Sequence, residues 1–145
     1  MKSINIVNMA INVEKQGEFF YKELAKVVNK KFTDTLLELA EQEKQHAEVF
    51  IKLADTKEWD EIDSYISSYA SVYIIPDLER IVESFDKRNL NSIFELAIEI
   101  EKDSIILYYE LKEQVNDNDI KNLIKKIIEQ EKSHIKKIIE MKNNF

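Results

Sequence analysis

One glycine, Gly17, and one proline, Pro76, are all that punctuate 145 residues. Average usage of about 7% Gly and 5% Pro would give roughly seventeen. A chain so poor in turn residues cannot be a hairpin-rich β domain, because tight hairpins and bulges need glycine at positive φ. Long helices are what remain. Apolar residues recur at three- and four-residue steps in four segments, as they must on the buried stripe of an amphipathic helix. The first runs from about Ser3 to Lys30 through Val7, Ala10, Gly17, Tyr21, Leu24 and Val28. The second starts near Thr33, a candidate N-cap, and reaches Ala54 through Leu36, Ala40, Ala47, Phe50 and Leu53. The third follows the cap candidates Asn89 and Asn91 and carries Phe94, Ala97, Ser104, Tyr108, Leu111 and Val115. The fourth opens near Asp117 and continues almost to Phe145 through Ile124, Ile127, Ile138 and Met141.

Two or three residues join segments one and two, and likewise three and four, so each pair predicts an antiparallel helical hairpin. Residues 55–90 break the pattern at Asp55-Thr56-Lys57-Glu58-Trp59-Asp60 and contain Pro76. Shorter helical pieces are expected there, around Ile62–Tyr73 and Asp77–Phe85. A helix of some 25 residues is about 38 Å long. A partly helical connection of this length can return along it and start the second hairpin at the opposite end. The expected fold is all-α, one domain over residues 1–145: a four-helix bundle of two hairpins with one long crossover, the connectivity of ferritin-like bundles.

The two hairpins repeat each other. Ala10-Ile11-Asn12-Val13-Glu14-Lys15 matches Ala97-Ile98-Glu99-Ile100-Glu101-Lys102, and Tyr21, Glu23 and Leu24 match Tyr108, Glu110 and Leu111, all at an offset of 87. Glu41-Gln42-Glu43-Lys44-Gln45-His46 matches Glu129-Gln130-Glu131-Lys132-Ser133-His134 at an offset of 88. Matches that keep their order and nearly their offset mark duplicated halves related by a pseudo-twofold axis.

Both histidines lie three residues after a glutamate, in Glu43-x-x-His46 and Glu131-x-x-His134. That spacing puts each pair on one helix face, within reach of one metal. Spacing alone decides little, since 19 of the 145 residues are Glu and duplication would copy an accident. Position on the stripe decides more. Glu14 lies between Ala10 and Gly17, Glu43 between Ala40 and Ala47, Glu101 between Ala97 and Ser104, and Glu131 between Ile127 and His134. Four carboxylates aimed at the middle of one bundle must be paired or protonated. Lys15, Lys44, Lys102 and Lys132 follow them in sequence and are turned about 100° off the face. Two divalent metals balance the site instead, +4 against four carboxylates with two neutral imidazoles. A Glu from each of two helices and Glu-x-x-His from the other two is the ligand pattern of dimetal carboxylate bundles. Glu14 and Glu101 are then the terminal carboxylates, Glu43 and Glu131 the bridges, and His46 and His134 one cap each. Oxygen-rich ligation with imidazole and no sulfur suits two iron ions, with manganese or zinc possible.

Residues 10–25, Ala-Ile-x-Val-Glu-Lys-x-Gly-x-x-Phe-Tyr-x-x-Leu-Ala, with Glu43-x-x-His46 and the second-half copies, resemble the rubrerythrin-type branch of the ferritin-like superfamily over essentially the whole chain. The resemblance implies a non-haem diiron oxidoreductase that reduces hydrogen peroxide or oxygen, a peroxidase of oxidative-stress defence. Two departures accompany it. Rubrerythrins proper carry a cysteine-ligated, rubredoxin-like iron domain, whereas this sequence has no Cys and stops at Phe145, so electrons are expected from a separate donor such as a rubredoxin-like protein. The extra third-helix carboxylate of that family is also missing: one turn from Glu101 stand Ala97, Ile98, Ser104 and Ile105.

Tyr21 and Tyr108 lie two turns beyond Glu14 and Glu101, either as aromatic core or with hydroxyls reaching a ligand carboxylate across the bundle. Gly17 and Ser104 are small residues one turn after Glu14 and Glu101, leaving room beside the metals for an oxidant or a shifting carboxylate. Trp59 and the row Tyr65, Tyr69, Tyr73 are expected to pack the crossover or a dimer contact. With 21 basic against 28 acidic residues the net charge is −7, which argues against nucleic acid or an anionic membrane as partner. No apolar run approaches 18 residues, and the N-terminus lacks a signal peptide's continuous apolar stretch, so a cytoplasmic protein, expected as a homodimer, is the default. Ferroxidase or iron-handling activity, and a non-catalytic metal-binding helical module, are the alternatives.

Overall fold

The computed structural model describes residues 5–56 and 78–144. Trp59, the Tyr65, Tyr69, Tyr73 row, Pro76 and the expected helical piece Ile62–Tyr73 lie outside the described residues. Four long helices form where the apolar periodicity placed them: α1 Ile6–Ala25, α2 Lys30–Ala54, α4 Leu90–Glu113 and α5 Asn118–Asn144. The short helix α3, Leu78–Glu83, and a 3-10 turn at Lys87–Asn89 precede α4.

Helix ends follow local chemistry more closely than apolar pattern. Asn5 caps α1, its side-chain oxygen accepting from the Asn8 amide at 2.8 Å. Asp117 does the same for α5, accepting from the Ile120 amide at 3.1 Å. The first hairpin turn is earlier than the periodicity implied. α1 ends at Ala25 and α2 begins at Lys30, because Asn29 breaks the helix with φ −58° and ψ 144°. Val28, read as the end of the stripe, is a buried residue of this turn. Thr33 is therefore not a cap: it lies inside α2, and its hydroxyl donates to the Ala25 carbonyl at 3.4 Å, across the turn. Asn89 also has another task than capping α4. Its side-chain oxygen accepts from the Asp86 amide at 2.9 Å, completing a capping box for the 3-10 turn.

The core is two apolar blocks. One holds Ile6, Val7, Ala10 and Val13 of α1, Phe50 and Leu53 of α2, Leu107, Tyr108 and Leu111 of α4, and Ile124, Ile127 and Ile128 of α5. The other holds Phe20, Tyr21 and Leu24, then Leu36, Leu39 and Ala40, then Leu90, Phe94 and Ala97, and finally Ile138 and Met141. Membership fixes helix direction. α1 and α5 run from the first block to the second, α2 and α4 from the second to the first. Each hairpin is antiparallel, and Ala54 and Leu90, the two ends of the connection, lie at opposite ends of the bundle. Near its arrival Leu78 joins the second block, and the Phe85 ring meets Phe20 edge-on with centroids 5.2 Å apart. This is the ferritin-like bundle that segment lengths and loop lengths predict.

Candidate metal centre

Between the two apolar blocks lies a layer of ionisable side chains. Glu14 of α1, Glu43 and His46 of α2, Glu101 of α4, and Glu131 and His134 of α5 are all 0–3% exposed. Each sits where the apolar stripe of its helix passes the middle of the bundle. The lysines that follow the glutamates, Lys15, Lys44, Lys102 and Lys132, are all exposed, and the last two pair with Glu99 and Glu129 on the surface. No cation from those positions enters the layer.

The six residues meet as two overlapping groups. Glu14, Glu43, His46 and Glu131 can bring one ligand atom each to within 4.8 Å of one another, and so can Glu43, Glu101, Glu131 and His134. Glu43 and Glu131 belong to both. The histidines present Nδ1 inward: His46 Nδ1 lies 2.7 Å from Glu131 and 3.4 Å from Glu14. His134 Nδ1 lies 3.0 Å from Glu43, 3.4 Å from Glu101 and 3.5 Å from Glu131. The two imidazoles stack, ring centroids 6.1 Å apart and planes 17° from parallel.

The tyrosines reach across the bundle. Tyr21 of α1 donates to Glu101 Oε1 of α4 at 2.5 Å, and Tyr108 of α4 donates to Glu14 Oε1 of α1 at 2.5 Å. Both rings are buried core as well. Gly17 is helical, with no positive φ, so conformational freedom is not its reason. A Cβ placed on it would stand 3.0 Å from Glu43 Oε2 and 3.2 Å from its carboxyl carbon. The room beside Gly17 is thus filled by the Glu43 carboxylate. Ser104, its counterpart, is buried and donates its hydroxyl to the Ile100 carbonyl at 2.9 Å.

Two residues escaped the sequence reading. Gln130 Oε1 lies 2.5 Å from His46 Nε2, and Gln42 Oε1 lies 2.5 Å from His134 Nε2. The signal was present, because Gln precedes Glu in both copies of Glu-Gln-Glu-Lys-x-His.

Without metal, protons must hold the cluster together. Burial pushes Glu14 well above the usual carboxylate range, and the Glu131 charge adds to it. Glu43 is raised in the same way, by burial and then by Glu101, Glu131 and Glu14. Burial, with Glu131 beside it, pushes Glu101 up to about 8. Burial acts on Glu131 too, but hydrogen bonds from Glu101, His134 and His46 outweigh it and hold this carboxyl well below the usual range. For the histidines burial disfavours charge, yet the carboxylates win: Glu131 raises His46, and Glu101, Glu131 and Glu43 push His134 up to about 12. Three carboxylate oxygens, Oε2 of Glu14, Glu101 and Glu131, are buried with no hydrogen-bond partner. Buried acceptors are rarely left bare unless an ion or unseen solvent completes them. A donor set of carboxylate oxygen and imidazole nitrogen, shared between two adjacent groups, fits hard or borderline divalent metals.

The model of the rubrerythrin family matches residues 5–142. The chain belongs to the rubrerythrin family. A Thermotoga maritima protein of solved crystal structure, described as a ferritin-like diiron-carboxylate protein, is similar in fold and sequence, with a TM-score of 0.79 and 37% identity over 99% of this chain and 98% of that one. No curated protein matches the chain. Family and neighbour agree with the buried Glu and His layer that this is a site of the dimetal carboxylate type. Among the described residues no helix is long and apolar enough to cross a membrane.

Proposed function

We propose that this rubrerythrin-family chain holds two iron ions between its helical hairpins and reduces hydrogen peroxide or oxygen with electrons from a separate donor. One observation carries the reading: two four-residue ligand groups share Glu43 and Glu131, and the same buried layer holds carboxylate oxygens that accept no hydrogen bond. The diiron-carboxylate description of the Thermotoga neighbour supports iron over other metals. In this reading Glu14 with His46, and Glu101 with His134, would hold one ion each, and Glu43 and Glu131, which belong to both groups, would serve both.

Bound there, a redox-active metal pair supplies Lewis acidity and two electrons to an O–O bond. The chain's residues do the rest. Tyr108 and Tyr21 fix one oxygen of Glu14 and Glu101, leaving the other free for a metal. The apolar blocks above and below keep bulk water from the layer. Peroxide takes two electrons and two protons to give two waters. With no cysteine in the sequence, a cysteine-held iron among these residues cannot supply the electrons, so a separate, rubredoxin-like donor is part of the proposal. A homodimer and a cytoplasmic setting complete the proposal.

Stopped-flow absorbance of the iron-loaded, anaerobically reduced protein tests the reading. Rapid growth of the near-ultraviolet band of oxidised iron with peroxide, and slower growth with oxygen, is expected. Metal-loaded protein inert to both oxidants would leave only a structural site. Well under two metals per chain after iron loading would sink the dimetal assignment itself.

A further inference from the structure

The two glutamines give each half of the molecule a hold on the other. Gln130 stands on α5, one residue before Glu131, and meets His46 on α2. Gln42 stands on α2, one residue before Glu43, and meets His134 on α5. Both contacts are part-buried, between a buried histidine and a half-buried glutamine. An amide oxygen 2.5 Å from Nε2 can only accept, so the proton of each imidazole belongs on Nε2. In a neutral ring the lone pair is then on Nδ1, the nitrogen that faces the carboxylates. A ring free to turn or to shift its proton would present N–H to the metal part of the time.

We propose that Gln42 and Gln130 are positioning residues of the metal centre, each fixing the ring and the tautomer of the histidine in the opposite half, so that Nδ1 is the ligand atom. This rests on the metal reading above. An amide suits the task for a reason of charge. It takes the hydrogen bond without drawing the proton away, so the imidazoles remain neutral and the balance of four carboxylates against two divalent ions is kept. A carboxylate in the same place would make the ring a more basic ligand. Glutamine also couples the sites to packing: a metal-bound His46 needs α5 in register, and a metal-bound His134 needs α2.

Nitrogen-15 NMR of the histidine rings in zinc-loaded protein reads this without any redox chemistry. In the wild type both rings should carry a slowly exchanging proton on Nε2 and metal on Nδ1. In Gln42→Leu the Nε2 proton of His134 should exchange fast and zinc affinity at one of the two sites should fall 10- to 100-fold, with His46 unchanged. Gln130→Leu should give the mirror image. Gln42→Glu keeps an acceptor and should restore the slow proton while shifting the His134 ring alone, which a purely structural role for Gln42 would not do. It also serves should Gln42→Leu fail to fold, since a His134 ring unmoved in Gln42→Glu would then overturn the proposal. Wild-type protein that takes up no zinc overturns the metal reading and the positioning role together. Zinc-loaded wild type whose Gln42→Leu variant keeps both slow protons and both affinities overturns the positioning role alone, as does a variant that disturbs the histidine of its own helix.

Discussion

Glu43 is constrained from three directions. It lies in both ligand groups, it hydrogen-bonds His134, and its carboxylate fills the notch left by Gly17. Glu43→Ala should leave no more than one metal per chain on iron or zinc loading, measured by elemental analysis after desalting. Retention of two would remove its bridging role. Gly17 was legible only as an oddity, a helix-interior glycine on the buried stripe that costs about 0.5–1 kcal/mol relative to alanine. Its use appears once Glu43 is seen 3.0 Å from where a Cβ would be. Gly17→Leu drives a four-carbon side chain into that carboxylate, and overpacking of this kind costs about 1–3 kcal/mol. We expect a lower urea midpoint together with loss of metal uptake; unchanged uptake and peroxide reactivity would show that the notch has no part in the site. The six ligand candidates were readable because each is an ionisable residue at an apolar position. Gln42 and Gln130 carry only the weaker signal of repetition in both halves, since a half-buried glutamine breaks no apolar pattern. Only the partner helix reveals what it does.

At the scale of elements, periodicity located each long helix of the described residues and misplaced some of their ends. The stripe through Val28 suggested that α1 continued to Lys30, but Val28 is buried from a turn residue as well as it would be from a helix. Burial pattern reports which side chains face the core, and a tight turn against the core satisfies it equally. Caps decide the ends instead, and here they are asymmetric. Asn5 and Asp117 both cap, while Asn29 and Asn89 make no side-chain cap bond to the helix they precede. Asn5→Ala should therefore lower stability by about 1 kcal/mol, the usual worth of an N-cap, whereas Asn29→Ala should cost less. Urea unfolding followed by circular dichroism separates the two, and equal losses would contradict this assignment of caps.

Across the whole molecule, the sequence places an acidic, ionisable layer between two apolar blocks, and such a layer needs either metal or protons. Loading with metal and binding of protons are then competing ways to neutralise the same groups. With Glu101 raised to about 8 and His134 to about 12, both hold protons at neutral pH when metal is absent. Each must release one to bind a cation. Metal affinity should therefore rise with pH up to about 8, where Glu101 gives up its proton, keep rising more gently above it while His134 still holds one, and fall as acid returns the protons, the linkage expected wherever ligands must be deprotonated. Calorimetric zinc titration in buffers of different ionisation enthalpy measures the protons released, and a heat independent of buffer would refute the exchange. The same linkage sets stability. Metal at a thousand times its dissociation constant adds about 4 kcal/mol to the folded state, so a chelator should lower the unfolding midpoint at pH 8 far more than at pH 5.5, where protons already occupy the layer. If chelation had the same effect at both pH values, metal and protons would not be acting on the same groups.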